Sequence, residues 1–371
     1  MKKIVLAYSG GLDTSVAIPW LADHYNAEVV TVTLDLGQGR EVDDVRERAL
    51  AIGAVRAHVI DVREEFAARF VLPALQAGAL YEGRSPLATA LGQPLITKYL
   101  VEIARIEGAP MIAHGCTGKG NGQVRIERCA QALDPALDVV APARLWGMNR
   151  AEEIAYARAR KIPVPGGVET PYSVDVNLWG RSIEGGTLAD PAVEPPEEVF
   201  ALTRSPAASP DKAAYVELEF ERGVPVKING VSLSLVELIA SLEAIAGGHG
   251  VGRVDLLENR LVGGKSREVY EAPAALVLHS ASRELAKLVT PRELDRLVAE
   301  LAAAYADLVY NGQWYSPARE AIDAFVGRVQ ERVTGIVRIR LFKGSGDVVS
   351  RSSPFNVTRP VAPAVVTSTY E

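Results

Sequence analysis

The first half of the chain alternates short apolar runs with longer segments whose apolar residues recur every three to four positions. The runs "KIVLA" (3–7), "AEVVTVTLDL" (27–36), "AHVIDV" (57–62), "APMIAHG" (109–115) and "DVVAPA" (138–143) read as strands. Helical patterns lie between them over 14–24, 42–52, 64–76, 91–107 and 124–133. Strands alternating with helices predict βαβ units, and hence a doubly wound, mostly parallel sheet. Ligands in such α/β folds sit beyond the carboxyl ends of the strands. Two glycine-rich stretches, after Ala7 and after Ala113, fall there.

The pattern changes near "RKIPVPGGVETPYS" (160–173), where three prolines and two glycines place a boundary. A proline-rich stretch over 188–213 is expected to be an ordered surface loop. Beyond it the chain reads as a hairpin over 213–230, then helices over 233–245, 284–288 and 291–308. A long helix over 316–333 is expected to bury Ala321, Phe325 and Val329, and alternation over 335–352 marks a second hairpin. The second half is therefore α+β. The expected division is 1–165, 166–353 and a tail over 354–371 that meets a partner subunit or frays.

Length supports the division, because 371 residues exceed what one core usually holds. A net charge of −6 argues against a broad nucleic-acid surface. No apolar run has membrane-spanning length, and the short one after Lys3 reads as a buried strand rather than a targeting segment. Cys116 and Cys129 form neither C-x-x-C nor a zinc spacing, so a reducing cytoplasm is expected.

The chemistry begins at "AYSGGLDTS" (7–15), directly after the first strand. Gly10 and Gly11 allow a sharp turn and close approach to a ligand. Ser9, Thr14 and Ser15 supply hydroxyls, and the next helix points its N-terminus at the loop, which together make an anion site. Asp13 suits such a site when Mg²⁺ bridges it to phosphate. The loop lacks the G-x-x-x-x-G-K-[ST] spacing. Its S-G-G-x-D-[ST]-S pattern resembles the pyrophosphate loop of the N-type ATP pyrophosphatases, which adenylate a carbonyl or ureido oxygen.

Further segments resemble the argininosuccinate synthase family: "TLDLGQ" (33–38), "YEG" (81–83), "AHGCTGKGN" (113–121), "QVRIE" (123–127), "PYSVDVNLWGRSIEGG" (171–186), "HGVGRVDLLENRLVGGKSREVYEAP" (249–273) and "YNGQWYSPAREAIDAF" (310–325). The resemblance covers nearly the whole chain in order. It implies an adenine nucleotide alpha hydrolase-like first domain and a synthetase and oligomerisation domain after it. It also implies a carbon–nitrogen ligase of arginine biosynthesis that acts on citrulline, aspartate and ATP with Mg²⁺, as a cytoplasmic homotetramer with no membrane or nucleic-acid partner. By this similarity Ala7, Tyr8, Ser9, Gly10, Gly11, Leu12, Asp13, Thr14, Ser15, Leu34 and Gly115 hold ATP. Asn121, Arg125, Ser173, Ser182, Glu258 and Tyr270 match citrulline positions, and Thr117 and Asn121 match aspartate positions. Ser9, Asp13 and Arg125 are the expected catalytic residues, with Asp13 the metal contact. Cys116 has no neighbouring base in sequence and reads as a packing residue.

Three departures cluster on the amino-acid side. Ser85 stands where the family usually has tyrosine, Gln93 where it has arginine, and Gly122 where it has aspartate. Ala90 stands where many members have serine. Losing one buried charged partner typically costs about 2–5 kcal/mol. Three readings stand open: a working enzyme with compensations, a paralogue with another amino donor or ureido substrate, and a nucleotide-binding protein without turnover. A tRNA-thiolating relative is disfavoured, since it would want a reactive cysteine and a basic surface. Restoring the carboxylate with Gly122→Asp is expected to change the use of aspartate.

Overall fold

The computed structural model describes residues 2–39, 42–117, 120–163 and 171–358. The expected boundary at 165/166 and the tail beyond 358 lie outside the described residues, as do Gly118 and Lys119 of the second glycine-rich stretch.

The first half runs β1 (Lys2–Ala7), α1 (Leu12–Tyr25), β2 (Ala27–Asp35), α2 (Val42–Ile52) and β3 (Arg56–Asp61). Next come α3 (Arg63–Phe66), a π-helical turn (Ala67–Val71) and α4 (Leu72–Gln76), which follow without a break. The long α5 (Ala88–Glu107) leads into β4 (Met111–Ala113), α6 (Gly122–Leu133), β5 (Asp138–Val140), α7 (Pro142–Leu145) and α8 (Arg150–Ala159). The five strands form one parallel sheet in the order β3-β2-β1-β4-β5. The chain builds outward from β1 to one side and then resumes on the other. The switch point therefore lies between β1 and β4, where such sheets open a crevice. Both glycine-rich loops leave from these two strands.

The second half begins with the hairpin β6 (Tyr172–Asn177) and β7 (Gly180–Gly185). After it come β8 (Ala214–Glu221), β9 (Val224–Ile228), β10 (Val231–Ser232), α9 (Leu235–Gly248), β11 (Arg253–Asn259) and β12 (Lys265–Glu271). The chain closes with α10 (Pro273–Val289), α11 (Arg292–Tyr310), α12 (Pro317–Gln330), β13 (Gly335–Phe342) and β14 (Ser345–Ser352). They make two antiparallel sheets, β10-β9-β8-β13-β14 and β11-β12-β7-β6. One hydrophobic cluster runs from Val5 and Leu95 through Phe70, Tyr305 and Trp314 to Leu278 and Val337, so the halves share a core.

Both expected hairpins form, and β8 also pairs with β13. The proline-rich stretch is ordered, and it buries Leu188 and Val199 against Ile183 and Val269. The helix expected over 284–288 is the end of the much longer α10, which starts on Pro273 at a position where proline's missing N–H has no partner to lose. On α12, Ile322, Val326 and Val329 are buried and Phe325 is partly so, whereas Ala321 is exposed. The buried face runs on to Gln330, which turns inward and donates to the Gln76 carbonyl of α4, 2.6 Å away.

The β6–β7 hairpin clamps the second half onto the first. Leu178 N–H donates to the Leu36 carbonyl (2.8 Å), Asn177 Nδ2 to the Ala88 carbonyl (2.7 Å) and Trp179 Nε1 to the Pro86 carbonyl (3.0 Å). Gly37 has φ +89°, and a Cβ there would lie 2.7 Å from that of Leu178. The close approach requires glycine.

Candidate active site

Tyr8, Ser9 and Gly10 turn the chain between β1 and α1, with Gly10 at φ +76°. Gly11 caps α1 in extended conformation, leaving the first N–H groups of the helix directed at the loop. The hydroxyls knit it together. Ser9 Oγ lies 3.1 Å from Thr14 Oγ1 and accepts from Gly11 N–H (3.3 Å), and Tyr8 OH lies 3.1 Å from Ser15 Oγ. Thr33 of β2 donates to the Tyr8 carbonyl (2.7 Å), and Arg48 of α2 to that of Gly10 (3.0 Å). Leu34 is buried beside them on β2, and Ala7 and Leu12 flank the turn.

Asp13, in the first turn of α1, pairs with Arg150 of α8 at 3.0 Å. Behind them sits Glu153, whose carboxyl is pushed up by burial and then by Asp13. Sequence reasoning missed both α8 residues, because nothing in a polar helix segment announces what its first turn faces.

The second loop closes on the first. A Cβ on Gly115 would lie 2.6 Å from Thr14 Cγ2, so only glycine allows this contact. Cys116 is not a nucleophile in waiting: burial pushes its thiol up to about 12. Thr117 is exposed in the loop. Asn121 leads into α6, with Gly122 as the first helical residue.

Asn121, Arg125, Glu258 and Tyr270 meet around a residue that the sequence did not single out, Tyr310 at the end of α11. Its hydroxyl accepts from Asn121 Nδ2 (2.8 Å) and donates to Glu258 Oε2 (2.9 Å). Tyr270 OH donates to the other oxygen of Glu258. Burial pushes the Glu258 carboxyl up, while the two tyrosines and Arg125 oppose the shift. The Arg125 guanidinium lies 4.5 Å from the Tyr310 ring centroid, and Tyr81 stacks on that ring at 3.5 Å. Arg125 Nε donates to the Tyr310 carbonyl (2.7 Å) and Nη1 to Gln93 Oε1 (3.3 Å). Arg125 is buried with no carboxylate in ion-pair range among the described residues, and burial pulls its pKa down. A buried guanidinium without an ion-pair partner of its own, in the field of a buried carboxylate, suits a zwitterionic amino acid.

Ser182 on β7 pairs across the sheet with Tyr270 and lies 3.1 Å from Thr89 of α5, another residue not foreseen. Ser173 is exposed on β6 opposite Glu184. The departures join the same cluster. Ser85 is buried beside the Tyr270 phenol. Gln93 and Gly122 touch one another: a Cβ on Gly122 would lie 2.8 Å from Gln93 Nε2 and 3.1 Å from Cys116 Sγ. Ala90 is buried in α5. Tyr81 and Tyr310 lie within the "YEG" and "YNGQWY" stretches, which was the signal available for them.

Comparison with known proteins identifies the family. Residues 3–163 match the arginosuccinate synthase N-terminal HUP domain and residues 172–361 the arginosuccinate synthase C-terminal domain. A Symbiobacterium thermophilum argininosuccinate synthase is 57% identical over 96% of this chain and 89% of its own. Those of Gloeobacter violaceus (55%, over 96% and 90%) and Rubrobacter xylanophilus (57%, over 95% and 86%) are similarly related. Two consecutive domain matches and identity of this extent show that the chain belongs to the argininosuccinate synthase family.

Proposed function

We propose that this protein ligates citrulline and aspartate to argininosuccinate, in arginine biosynthesis. The ureido oxygen attacks the α-phosphorus of ATP, forming citrullyl-AMP and releasing pyrophosphate. The aspartate amine then attacks the activated carbon, loses a proton and displaces AMP. The observation that carries this reading is the contact of Gly115 with Thr14. It packs the loop after β4, which leads on to Asn121 and Arg125, against the anion loop after β1, and this supports a reading in which two substrates are held for in-line transfer.

In this reading residues 7–15, Leu34 and Gly115 hold ATP, with Ser9 and the α1 N-terminus receiving phosphate oxygens. Asn121, Arg125, Ser173, Ser182, Glu258 and Tyr270 hold citrulline, Arg125 taking its carboxylate and Glu258 its ammonium. Thr117 and Asn121 face aspartate. Mg²⁺ fits as the counter-ion of ATP: Asp13 already holds a cation, the Arg150 guanidinium, beside the anion loop. One carboxylate plus phosphate oxygens and water is an ordinary magnesium donor set. Bound there, the ion would neutralise charge on the leaving pyrophosphate. Asp13 would contact it, and Arg150 would exchange that partner for phosphate. Division at 165/166, a homotetramer and a cytoplasmic location belong to the same reading. No helix among the described residues is long and apolar enough to cross a membrane.

The reading set against it is a paralogue with another amino donor. Pyrophosphate release decides between them. We expect release that requires both citrulline and aspartate. Release with citrulline and a different amine would establish the paralogue, and ATP binding without release from any pair would leave only a nucleotide-binding protein.

A further inference from the structure

We propose that Tyr310 is the positioning residue of the amino-acid pocket, holding Asn121, Arg125 and Glu258 in the relation that receives the α-ammonium and α-carboxylate of citrulline. This rests on the function proposed above and names the device behind it.

The direction of every hydrogen bond is fixed. Leu261 N–H can only donate, and it reaches Asn121 Oδ1 at 3.0 Å. The Asn121 amide therefore presents Nδ2 to Tyr310, whose oxygen accepts. The phenolic proton is left for Glu258, at 2.9 Å, and it favours the ionised carboxylate. One hydroxyl thus links α6, β11 and α11.

The backbone of Tyr310 does the rest. Arg125, Arg128 and Cys129 lie three and four positions apart on one face of α6. They donate in turn to the carbonyls of Tyr310 (2.7 Å), Asn311 (2.8 Å) and Gly312 (3.4 Å). The first two of these carbonyls are the negative end of α11, and the third follows its cap. Gly312, at φ +71°, lets the two backbones touch, since a Cβ there would lie 2.6 Å from Arg125 Cα. The Arg125 guanidinium is therefore held by a helix terminus and a ring face instead of a carboxylate. Its charge remains available to a ligand.

Packing alone does not require the hydroxyl, because phenylalanine has the same ring. Tyr310→Phe in the full-length protein separates the two roles. We expect the KM for L-citrulline to rise by about tenfold or more, the loss of one hydrogen bond to a charged group. The KM for ATP should stay within about twofold. The acid limb of kcat/KM for citrulline should move to higher pH, because Glu258 loses a donor to its ionised form. The other groups facing Glu258 are Arg125 from α6, Tyr270 and Glu268 from β12, and Tyr81 and Glu82 from the loop after α4, and the substitution leaves them in place. The urea midpoint is read alongside, so that lost fold is separated from lost binding. Equal losses for both substrates, or an unmoved acid limb, would overturn the positioning role. Calorimetric titration of the parent protein with L-citrulline distinguishes the remaining case. A parent that does not bind it overturns the proposed function and this inference together, whereas a binding parent with an unchanged variant overturns this inference alone.

Discussion

Gly122 shows how far single residues can be interpreted without their neighbours. In sequence it is a missing carboxylate. In the structure it is half of a pair, because the Gln93 amide stands where its side chain would begin. Gln93 also accepts from Arg125, so displacing it disturbs the guanidinium. An aspartate at the first position of α6 would gain from the helix terminus, but it must first move that amide. We therefore expect Gly122→Asp alone to leave the KM for aspartate within about threefold of the parent, the loss at Gln93 offsetting the new carboxylate. Combined with Gln93→Arg it should lower that KM by tenfold or more, beyond the sum of the two single effects. Pyrophosphate-release kinetics on the four proteins of the cycle measure it, and additive single effects would show that the two positions act independently. Adjacency of residues 29 positions apart was not legible in the sequence, whereas the anion loop was, because its strand, glycines, hydroxyls and helix are consecutive.

At the scale of elements, the parallel sheet was legible and the β11-β12-β7-β6 sheet was not. The strands of the first are apolar runs, β1 and β2 above all. Those of the second carry Ser173, Ser182, Glu258 and Tyr270, and this polarity hides the alternation that marks a strand. What holds this sheet in place is equally polar. Tyr270 serves the pocket, while the next residue, Glu271, points to the opposite face and is fully buried. Its oxygens accept from Arg181 Nη1 and from the N–H groups of Ala201, Leu202 and Thr203, each at 2.8–2.9 Å, and from the Thr203 hydroxyl at 2.8 Å. That ties the proline-rich stretch to the strand that carries Tyr270. Glu271→Ala leaves the half-buried Arg181 guanidinium without its carboxylate and three N–H groups without their acceptor, a loss of about 3–5 kcal/mol. Differential scanning calorimetry should show Tm falling by roughly 4–6 °C. Glu271→Gln, which keeps an acceptor, should lose less than half as much. A fall of under about 1 °C for the alanine variant would mean that the stretch is held by apolar contacts instead.

For the molecule as a whole, acid stability depends on one buried histidine in each half. His114 follows β4, and its Nδ1 accepts from Cys116 N–H (3.2 Å), which leaves the proton on an Nε2 that has no partner among the described residues. His279 lies inside α10 near Trp179, and its Nε2 is likewise unpartnered. Burial pulls His114 down to about 4 and His279 to about 3. The unfolded chain takes up these protons near pH 6.5. Below that pH it binds more protons than the folded state, so this contribution is complete above pH 6.5 and lost as pH falls towards the folded values. Glu153, Glu258 and Glu268, raised by burial, act in the opposite sense, because their folded forms hold protons that the unfolded chain releases. The net slope therefore mixes both, and only a difference isolates the histidine. His279→Leu removes one titration and one orphaned nitrogen at similar volume. Its stability relative to the parent should improve by roughly 2 kcal/mol between pH 7.5 and pH 5, at about 1.4 kcal/mol per unit below 6.5. Urea midpoints of both proteins at the two pH values test this. A difference that is the same at both would mean that His279 takes up its proton in the fold at the same pH as in the unfolded chain, and that burial does not pull it down.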